Sequence, residues 1–565
     1  MRCVLNTIGG GMRGAVWVLI AISVVVSLFV GMQAPQPMVG DEVTHYYMLT
    51  GQAEDLSHPN FLSKIPLSFG GTYERLYPHS FGWHYLGAMI LRITGGGIGA
   101  VQFYQAFFWF QLLVACYLLA ASRGGNKSGV SLLFVSVVAT LPMGILFSIV
   151  FYQDVPLAAQ IVTAFLFLTV GHWLVAVLFM AFAMFLKINA FVFLPVFLAV
   201  LSWQVWHNTG ADEKKRYLSG RKWRVFRTTL ALAVAVTLLG GASFGLQTSL
   251  RKYAQADFYP VTIVLRMMKD VGLYRRPSPV EKHSKETVPR AGNQKRRVTH
   301  AVITNHPGDL RFARNWIIYF GGILWLVVLI GGVARLFPAG RVVSGGLRTS
   351  TALLWVVGLG GLIPTAVFLK TAPDARFFLP ALPFLILPFC EWVSRLSWRK
   401  WIFGVLIVMG CMQAGGVYWK THSLRRVSPG IHEAIAFLES SMPEPPRIFM
   451  YPEGNYRLFP CSPEWYLGYG LREFWAGNND ARLAMLHKHK VGAVVVKKHL
   501  VAPIDKDMHN LGVYPPEFVA DLRADSRFKK VLENEDVVIF VVPGSGQTNG
   551  VLTSEKGELQ EGIRK

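Results

Sequence analysis

The chain has 565 residues, of which 52% are apolar and only 16% are charged, and its formal net charge is +23. Soluble domains carry about 25% charged residues, so this composition excludes an ordinary soluble protein and indicates a membrane protein with many spans. In that class an excess of Lys and Arg is typical of cytoplasmic loops and of contacts with lipid headgroups, which argues against nucleic acid as a partner. The five cysteines are scattered and predict no disulfide framework.

Apolar stretches of about 20 residues predict the transmembrane helices. Between residues 155 and 205 the apolar sequence is interrupted at Gly171-His172 and at Lys187, which predicts three shorter helices there. A weaker apolar run covers 81–91. The longer runs lie at 14–33, 99–121, 129–150, 226–249, 315–336, 350–369, 379–397 and 401–418.

The distribution of basic residues predicts the orientation. If 81–91 lies along the membrane interface and does not cross the membrane, most Lys and Arg of the short loops fall on one side. Short cytoplasmic loops carry such an excess of basic residues, so this side is predicted to be the cytoplasm. This predicts eleven spans within a transmembrane module of residues 1–420, with the N-terminus inside and the C-terminus outside. Four outer segments follow: the first loop 34–98, the turn 152–156, the basic loop 250–314 and everything after about 420. The basic loop is either a solvated segment or a surface for anionic headgroups.

The segment after the last span predicts a small extracytoplasmic α/β domain over residues 421–543. A helical pattern and several β-branched runs alternate there, which is typical of a compact domain with helices packed on a sheet. The polar residues 544–565 predict a disordered tail. The predicted elements are a helix at 431–441 and strands at 447–451, 491–498 and 537–542.

An acidic pair follows the first span. Asp41 and Glu42 lie in MVGDEVTHYYM, with His45 one turn later if the segment is helical. A carboxylate just outside the membrane can act as a general base toward a hydroxyl group or can bind a metal ion. The simpler alternative is a solvated loop acid. The functional reading is favoured because all six acidic residues between 1 and 210 fall in the two outer loops.

Three further charged residues interrupt apolar sequence. Asp154, in FYQDVP, either caps the next helix or takes part in chemistry. Lys187, in MFLKINAF, is costly in lipid and should face a partner or a cavity, or else extend to the interface. Arg376, in TAPDARFFLP, offers donors for phosphate oxygens, or pairs with Asp374.

Aromatic residues and histidines are concentrated in TYERLYPHSFGWHYLGAMI, residues 72–90. An amphipathic stretch of this kind lies at the level of the lipid headgroups. It either forms an aromatic belt or lines a cavity that holds a lipid-linked substrate and a sugar.

The chain resembles the GT-C superfamily of membrane glycosyltransferases, which use polyprenyl-phosphate sugars as donors. That superfamily has an acidic pair after the first span, matched by Asp41 and Glu42, and a second acid at the next outer turn, matched by Asp154. Its lysine near the fifth and sixth spans corresponds to Lys187, and its Arg-aromatic-x-x-P pattern to Arg376 in ARFFLP. The resemblance implies a polytopic α-helical membrane protein with a C-terminal extracytoplasmic α/β domain.

Residues 35–200 look most like the α-1,2-glucosyltransferases that complete the lipid-linked N-glycan precursor. FYQDVPLAAQIVTAFLFL followed by FLKINAFVFLP carries this likeness, although Lys187-Ile188-Asn189 stands where an Arg-Gln-Thr-Asn type of string is expected. The soluble C-terminal segment instead resembles bacterial enzymes that decorate lipid A, lipopolysaccharide or other envelope glycans. The resemblance therefore implies glycan biosynthesis at the bacterial inner membrane.

The implied reaction is an inverting transfer of one sugar from a polyprenyl phosphate to a lipid-linked or envelope glycan. Asp41 is expected as the base, with Glu42 or Asp154 orienting the acceptor or sharing a divalent ion, Mg²⁺ or Mn²⁺, if one is required. Asp41 and Asp154 are expected to face one another across a crevice at the extracytoplasmic boundary. The predicted substrate-binding residues are His45, Arg75, Tyr77, His79, Lys187, Asn189 and Arg376.

Two alternative functions are compatible with the sequence. A transporter or flippase for a lipid-linked glycan would place charged residues inside the spans, where only Lys187 and Glu391 are found. An oligosaccharide ligase acting on a pyrophosphate lipid would need several arginines, which the loop 250–314 could supply.

Overall fold

The computed structural model describes fourteen segments of the chain. The predicted spans at 226–249 and 315–336 and the basic loop 250–314 lie outside them, as does the tail beyond residue 544. The described segments are 10–33, 42–57, 62–66, 72–76, 82–123, 129–208, 351–368, 375–425, 428–441, 447–449, 477–488, 491–498, 501 and 515–544.

The described residues form two compact units. The first contains those of Met1–Pro35, Met48–Leu62 and Leu76–Ser423. The second contains those of Gln36–Tyr47, Ser63–Arg75 and Leu424–Lys565. Parts of the predicted first outer loop thus group with the C-terminal segment.

The chain begins with the long apolar helix α1 (Gly10–Met32). The described residues of the predicted first outer loop, 34–98, form α2 (Glu42–Glu54), a two-stranded sheet of β1 (Leu62–Pro66) and β2 (Thr72–Leu76), and α3 (Gly82–Thr94).

Helix α3 is too short to cross a membrane. Its 13 residues span about 20 Å at 1.5 Å per residue, against about 30 Å of hydrocarbon core. Arg92 at its C-terminal end donates to the carbonyl oxygens of Ala53 and Glu54, both at 3.0 Å. That 81–91 lies along the interface stays a prediction.

Helix α4 (Ile98–Ser122) is the central helix of the first unit, since α1, α3 and the next three helices along the chain pack against it. The bent pair α5 (Val130–Ala139) and α6 (Pro142–Ile149) follows, with an angle of 59° between the two helices. The sequence predicts one span at 129–150. The bend arises at Pro142, which has no N–H for the helical hydrogen-bond ladder.

The predicted breaks between 155 and 205 are confirmed. The three helices are α7 (Asp154–Thr169), α8 (Trp173–Leu186) and α9 (Leu194–Asn208). Gly171 separates the first two with a φ of 86°, a conformation that glycine adopts readily. Lys187 and a short 3-10 helix (Ile188–Val192) separate the second and third.

The first unit ends with α10 (Thr351–Phe368), a 3-10 helix (Ala375–Phe378), α11 (Leu382–Val393) and α12 (Arg399–Arg425). Among the described residues, three helices are long and apolar enough to cross a membrane, and the bent pair makes a fourth. Five apolar helices are shorter. The chain is therefore a polytopic α-helical membrane protein, and the count of eleven spans stays a prediction.

The second unit contains a four-stranded mixed sheet of order β3-β4-β6-β5, in which only the β3–β4 pair is parallel. The predicted helix at 431–441 and the predicted strands correspond to α13, β3, β4 and β6. Helices α14 and α15 and strand β5 were not predicted. The elements in chain order are α13 (Pro429–Ser441), β3 (Arg447–Phe449), α14 (Asn479–Lys488), β4 (Val491–Lys497), α15 (Pro516–Ala524), β5 (Lys529–Glu533) and β6 (Val537–Val541).

Both faces of this sheet are covered, which explains why every residue of β4 is buried. Val494 packs in a cluster with Phe518 of α15, whereas its neighbour Val495 packs with Ala434 of α13 on the other face. Successive strand residues point to opposite faces, so a strand between two helical layers is apolar throughout. The domain boundaries at 421, 543 and 544 stay predictions.

Candidate functional site

The first unit buries a cluster of three charged side chains. Asp154 is the first residue of α7, Lys187 follows α8, and Arg376 lies in the 3-10 helix before α11. Lys187 Nζ is 2.6 Å from Asp154 Oδ1, and Arg376 Nε is 4.0 Å from Asp154 Oδ2. The exposed fractions are 1% for the Asp154 side chain, 7% for Lys187 and 19% for Arg376. Three predicted site residues from distant parts of the chain are thus brought together.

Asp154 does not act as a simple helix cap. The N-cap residue of α7 is Gln153, and no side chain donates or accepts a capping hydrogen bond there. The Asp154 carboxylate instead accepts the hydrogen bond of Lys187. Its position in the first turn is favourable, because the positive end of the helix dipole stabilises a carboxylate.

Lys187 is held by its backbone as well as by its side chain. Its extended conformation, with φ −151° and ψ 132°, ends α8, and its carbonyl accepts a hydrogen bond from the N–H of Ala190. Its Nζ also lies 4.8 Å from the ring centroid of Phe377. The alternative that Lys187 extends to the interface is wrong, because its ammonium ends on the buried carboxylate of Asp154.

The Arg376 guanidinium lies among three aromatic rings. Its Cζ is 4.9 Å from the ring centroid of Tyr152, 5.2 Å from that of Phe377 and 5.9 Å from that of Phe147. The Phe147 and Tyr152 rings contact each other edge to face at 5.0 Å. Cations within about 6 Å of an aromatic centroid are attracted by the ring quadrupole. Asp374, the alternative partner of Arg376, lies outside the described residues.

The charges of this cluster favour an anion. One carboxylate and two cations sum to a formal charge of +1. Asp154 Oδ2 has no hydrogen-bond partner among the described residues. A buried charge is stable only with partners, and Arg and Lys donors are well suited to phosphate oxygens. The arrangement can therefore hold the phosphate of a ligand beside Asp154.

Two glutamines of α4 fix the connection between α6 and α7. Gln105 Nε2 donates to the carbonyl oxygens of Phe147 at 2.5 Å and Tyr152 at 3.1 Å, and Gln102 Nε2 donates to that of Ile149 at 3.0 Å. We did not predict either residue. The only signal in the sequence is their spacing of three in an apolar helix, which places them on one face.

Other buried polar residues lie near the start of α7. The side chains of Gln153 and His84 approach to 3.5 Å between Nε2 and Nδ1, and both residues are buried. Gly82, two residues before His84, lies against the backbone carbonyl of Phe185 near the end of α8. Helix α3 thus contacts the two segments that carry Asp154 and Lys187. His84 belongs to the aromatic segment 72–90.

Glu42 and His45 lie in α2 and are buried. Both residues belong to the second unit, and Arg75 of β2 belongs to the same unit. Asn189 is half-buried in the 3-10 helix after Lys187. The proposed crevice between Asp41 and Asp154 stays a prediction, because Asp41, Tyr77 and His79 lie outside the described residues.

Metal-ligand clusters of three or more His, Cys, Asp or Glu side chains do not occur within the described segments. Asp154 Oδ1 accepts the Lys187 hydrogen bond and Oδ2 lies 4.0 Å from Arg376 Nε, so two cations already surround this carboxylate. The other proposed ligand, Asp41, is not described, so a shared Mg²⁺ or Mn²⁺ site stays a prediction.

Comparison with known proteins finds solved structures with a similar fold. No model of a protein family and no curated protein matches the chain. The crystal structure of ArnT from Cupriavidus metallidurans bound to undecaprenyl phosphate matches with a TM-score of 0.50 and 12% identity, over 94% of this chain and 98% of that one. The apo state of the same protein matches with a TM-score of 0.50 and 12% identity, over 95% and 99%. The chain shares its fold with ArnT. At 12% identity this likeness shows the fold alone, and it does not single out the α-1,2-glucosyltransferase type.

Proposed function

We propose that the protein is an inverting glycosyltransferase. It moves a single sugar from a polyprenyl-phosphate donor to a lipid-linked or envelope glycan acceptor. The observation that carries this proposal is the buried cluster of Asp154, Lys187 and Arg376, whose two cations suit a phosphate. The fold likeness to ArnT, which has been crystallised with undecaprenyl phosphate, supports a polyprenyl phosphate as the lipid carrier.

The cluster matches the charge that develops during transfer. A sugar on a polyprenyl phosphate is a phosphodiester with one negative charge, and the departing polyprenyl phosphate gains a second as the glycosidic bond breaks. Preorganised cations stabilise this leaving group more than they stabilise the intact donor, which lowers the barrier. Lys187 would supply a compact ammonium and Arg376 a planar pair of donors for the phosphate oxygens.

The reaction balances with a single base. The acceptor hydroxyl oxygen bonds to the anomeric carbon from the face opposite the phosphate, so the anomeric configuration inverts. The bond from the anomeric carbon to the phosphate oxygen breaks, and its electron pair leaves with the phosphate. A carboxylate takes the hydroxyl proton, and we propose Asp41 for this role. Glu42 is proposed to orient the acceptor or to share a divalent ion.

The contacts of Asp154 support an additional role for this residue. Its Oδ1 holds the Lys187 ammonium at 2.6 Å and its Oδ2 lies 4.0 Å from Arg376 Nε. A fixed carboxylate between two flexible cations keeps both in place before the donor binds, so little reorganisation is needed at the moment of reaction. We therefore propose that Asp154 positions the two cations, alongside the predicted role in orienting the acceptor.

The remaining predicted residues are assigned to the sugars. Asn189 is half-buried two positions after Lys187, and its amide offers two donors and an acceptor to sugar hydroxyl groups. His45, Arg75, Tyr77 and His79 are proposed to contact the acceptor or the transferred sugar. The proposed location is the bacterial inner membrane, with the reaction and the C-terminal α/β segment on the extracytoplasmic face.

A turnover assay tests the proposal. The full-length protein in lipid nanodiscs is given radiolabelled undecaprenyl-phosphate hexose and a bacterial membrane lipid extract, and transfer of label to a lipid or glycan product is measured. We expect transfer by the wild type, and its loss in Asp41→Asn and Lys187→Met. Transfer that persists in Asp41→Asn would remove the proposed base.

The same preparations distinguish the alternatives. In sealed vesicles, label that crosses the bilayer without forming a new glycosidic bond would favour a flippase. Transfer only from a pyrophosphate-linked oligosaccharide would favour a ligase. Either outcome would replace the proposed reaction.

A further inference from the structure

One amide of helix α4 contacts both residues whose rings flank Arg376 on the α6–α7 side. Gln105 Nε2 donates to the carbonyl oxygens of Phe147 and Tyr152. The rings of these same two residues contact each other and lie under the Arg376 guanidinium. Gln105 is fully buried. One side chain thus fixes the backbone at two points from which the rings extend.

We propose that Gln105 is a positioning residue for the donor phosphate, acting on Arg376 through Phe147 and Tyr152. The inference rests on the proposed function, in which Arg376 binds that phosphate. Gln105 itself touches neither the donor nor the acceptor in this role.

The backbone at this place needs an external partner. Phe147 lies in the last turn of α6, where helical carbonyl groups have no intrahelical donor. Tyr152 lies in the break before α7, two residues from Asp154. Both partners of the Gln105 side chain are carbonyl acceptors, so the atom that faces them must be the amide nitrogen. This single NH₂ group ties the end of one helix to the start of the next.

The rings then transmit this geometry to Arg376. Phe147 is 7% exposed and Tyr152 is 8% exposed, so neither ring is free to rotate into solvent. The guanidinium lies 4.9 Å from one centroid and 5.9 Å from the other. The cation–π attraction is confined to about 6 Å, so a shift of the connection would release Arg376 from this face. Its contact with Phe377 belongs to its own 3-10 helix and would not prevent that release.

Gln102 provides a matched control on the same helix. It lies one turn earlier, it is equally buried, and its Nε2 also donates to a carbonyl of the same connection, that of Ile149 at 3.0 Å. Ile149 carries no aromatic ring. A purely structural role for these glutamines predicts similar effects of the two substitutions on ligand binding, whereas the proposed role predicts that only Gln105 affects the donor.

The experiment compares Gln105→Met and Gln102→Met in the full-length protein in nanodiscs. Undecaprenyl phosphate is the binding probe, and radiolabelled undecaprenyl-phosphate hexose is the substrate. For Gln105→Met we expect the Kd of the probe and the KM of the donor to rise about tenfold, corresponding to about 1.4 kcal/mol, with a smaller change in kcat. For Gln102→Met we expect both constants within about twofold of wild type. The melting temperature should fall by a similar amount in both variants.

A double-mutant cycle with Arg376→Met makes the test specific. If Gln105 acts through Arg376, adding Gln105→Met to Arg376→Met should change the Kd of the probe by less than about twofold, whereas independent effects would multiply. Gln105→Asn, which keeps the amide but is one methylene shorter, is the second variant if Gln105→Met does not fold. It should raise the Kd in the same direction by a smaller factor.

Different results would overturn the proposed function and the role of Gln105. A wild-type protein that neither binds undecaprenyl phosphate nor transfers the sugar would overturn the proposed function itself. A wild type that does both, with Gln105→Met indistinguishable from Gln102→Met in Kd or with multiplicative effects in the cycle, would overturn the role of Gln105 alone.

Discussion

Lys187 donates a 2.6 Å hydrogen bond to Asp154, 33 residues earlier in the chain, and both side chains are almost completely buried. A buried ion pair costs desolvation energy on both partners, so it contributes little net stability compared with a well-packed apolar pair. Removing one partner is different, because the other charge is then left buried without compensation. The pair therefore makes the fold and the proposed phosphate site depend on each other.

This coupling gives the first prediction. Lys187→Met should lower the free energy of unfolding by about 3–5 kcal/mol, because the Asp154 carboxylate loses its hydrogen-bond donor. Combining it with Asp154→Asn should cost less than the sum of the two single substitutions, since the double variant leaves no buried carboxylate. The stability of all three variants is measured by thermal unfolding in nanodiscs. Additive losses would mean that the two side chains do not interact in the folded protein.

The second prediction concerns Arg376. Arg376→Lys keeps the positive charge but loses the planar fork and the flat surface that lies against the rings of Tyr152 and Phe377. We expect the KM of the polyprenyl-phosphate donor to rise about tenfold, with little change in stability. Steady-state kinetics at varied donor concentration measures this. An unchanged KM would show that a positive charge alone is sufficient for donor binding and that the aromatic contacts of Arg376 do not contribute to it.

The third prediction uses a second, largely buried ion pair in the described part of the first unit. Arg123, just after α4, donates to both carboxylate oxygens of Glu391 at 2.6 and 3.2 Å. Along α4 it lies about 27 Å from Gln105, at 1.5 Å per residue. Glu391→Gln should therefore lower the melting temperature and leave the donor KM of the folded protein unchanged. A raised KM would show that this distant pair is coupled to the site.

Some of this site was predictable from the sequence, and the reason is physical. A charged residue inside apolar sequence must find a partner, so Asp154, Lys187 and Arg376 stood out individually. The helix break at Lys187 was also visible, because the charge interrupts an apolar run. Which partner each charge finds depends on contacts across distant parts of the chain, so the pairing of Lys187 with Asp154 was not predicted.

Other features leave little trace in a single sequence. Gln102 and Gln105 look like ordinary polar residues, and only the structure reveals that they satisfy carbonyl groups at the end of α6. Strand β5 has the sequence KKVLE, which is charged because it lies at the edge of the sheet, so its pattern does not suggest a buried strand. The bend at Pro142 was concealed by apolar residues on both sides.

The fourth prediction concerns the close packing of α3 on α8. A methyl group at Gly82 would overlap the backbone carbonyl oxygen and the ring of Phe185, and a backbone atom cannot be displaced cheaply. Gly82→Ala should therefore shift α3 or α8 near Lys187 and reduce both stability and kcat/KM. Gly51→Ala is the matched control: Gly51 lies within α2, and a methyl group there meets no atom within 4 Å. It should be neutral or stabilising by up to about 1 kcal/mol, because alanine favours helix. An equal loss of stability and of kcat/KM in both variants would contradict the proposed close packing of α3 on α8.

The fifth prediction concerns the pH dependence of the second unit. A hydrogen bond from Arg527 lowers the pKa of Asp525 from 3.8 to about 2, and one from Lys530 lowers the pKa of Glu533 from 4.5 to about 2. A carboxyl group whose pKa is lower in the folded state stabilises the fold above its unfolded pKa, and this stabilisation is lost as the pH falls through the folded value. We therefore expect the second unit to lose stability as the pH falls from about 4.5 to about 2.

Asp525→Asn in the full-length protein tests this dependence. At neutral pH it should destabilise the sheet by at most about 1 kcal/mol, the usual range for a largely solvated ion pair. The difference from wild type should shrink as the pH falls below 3.8 and vanish only below the folded pKa of about 2, where Asp525 is protonated in both states. Hydrogen exchange of the amides in β5 and β6, corrected for the intrinsic exchange rate, measures the local stability at each pH. Glu517→Gln, at an exposed position of α15, is the control. A difference between Asp525→Asn and wild type that stays constant over this range would mean that the hydrogen bonds from Arg527 do not stabilise the folded unit.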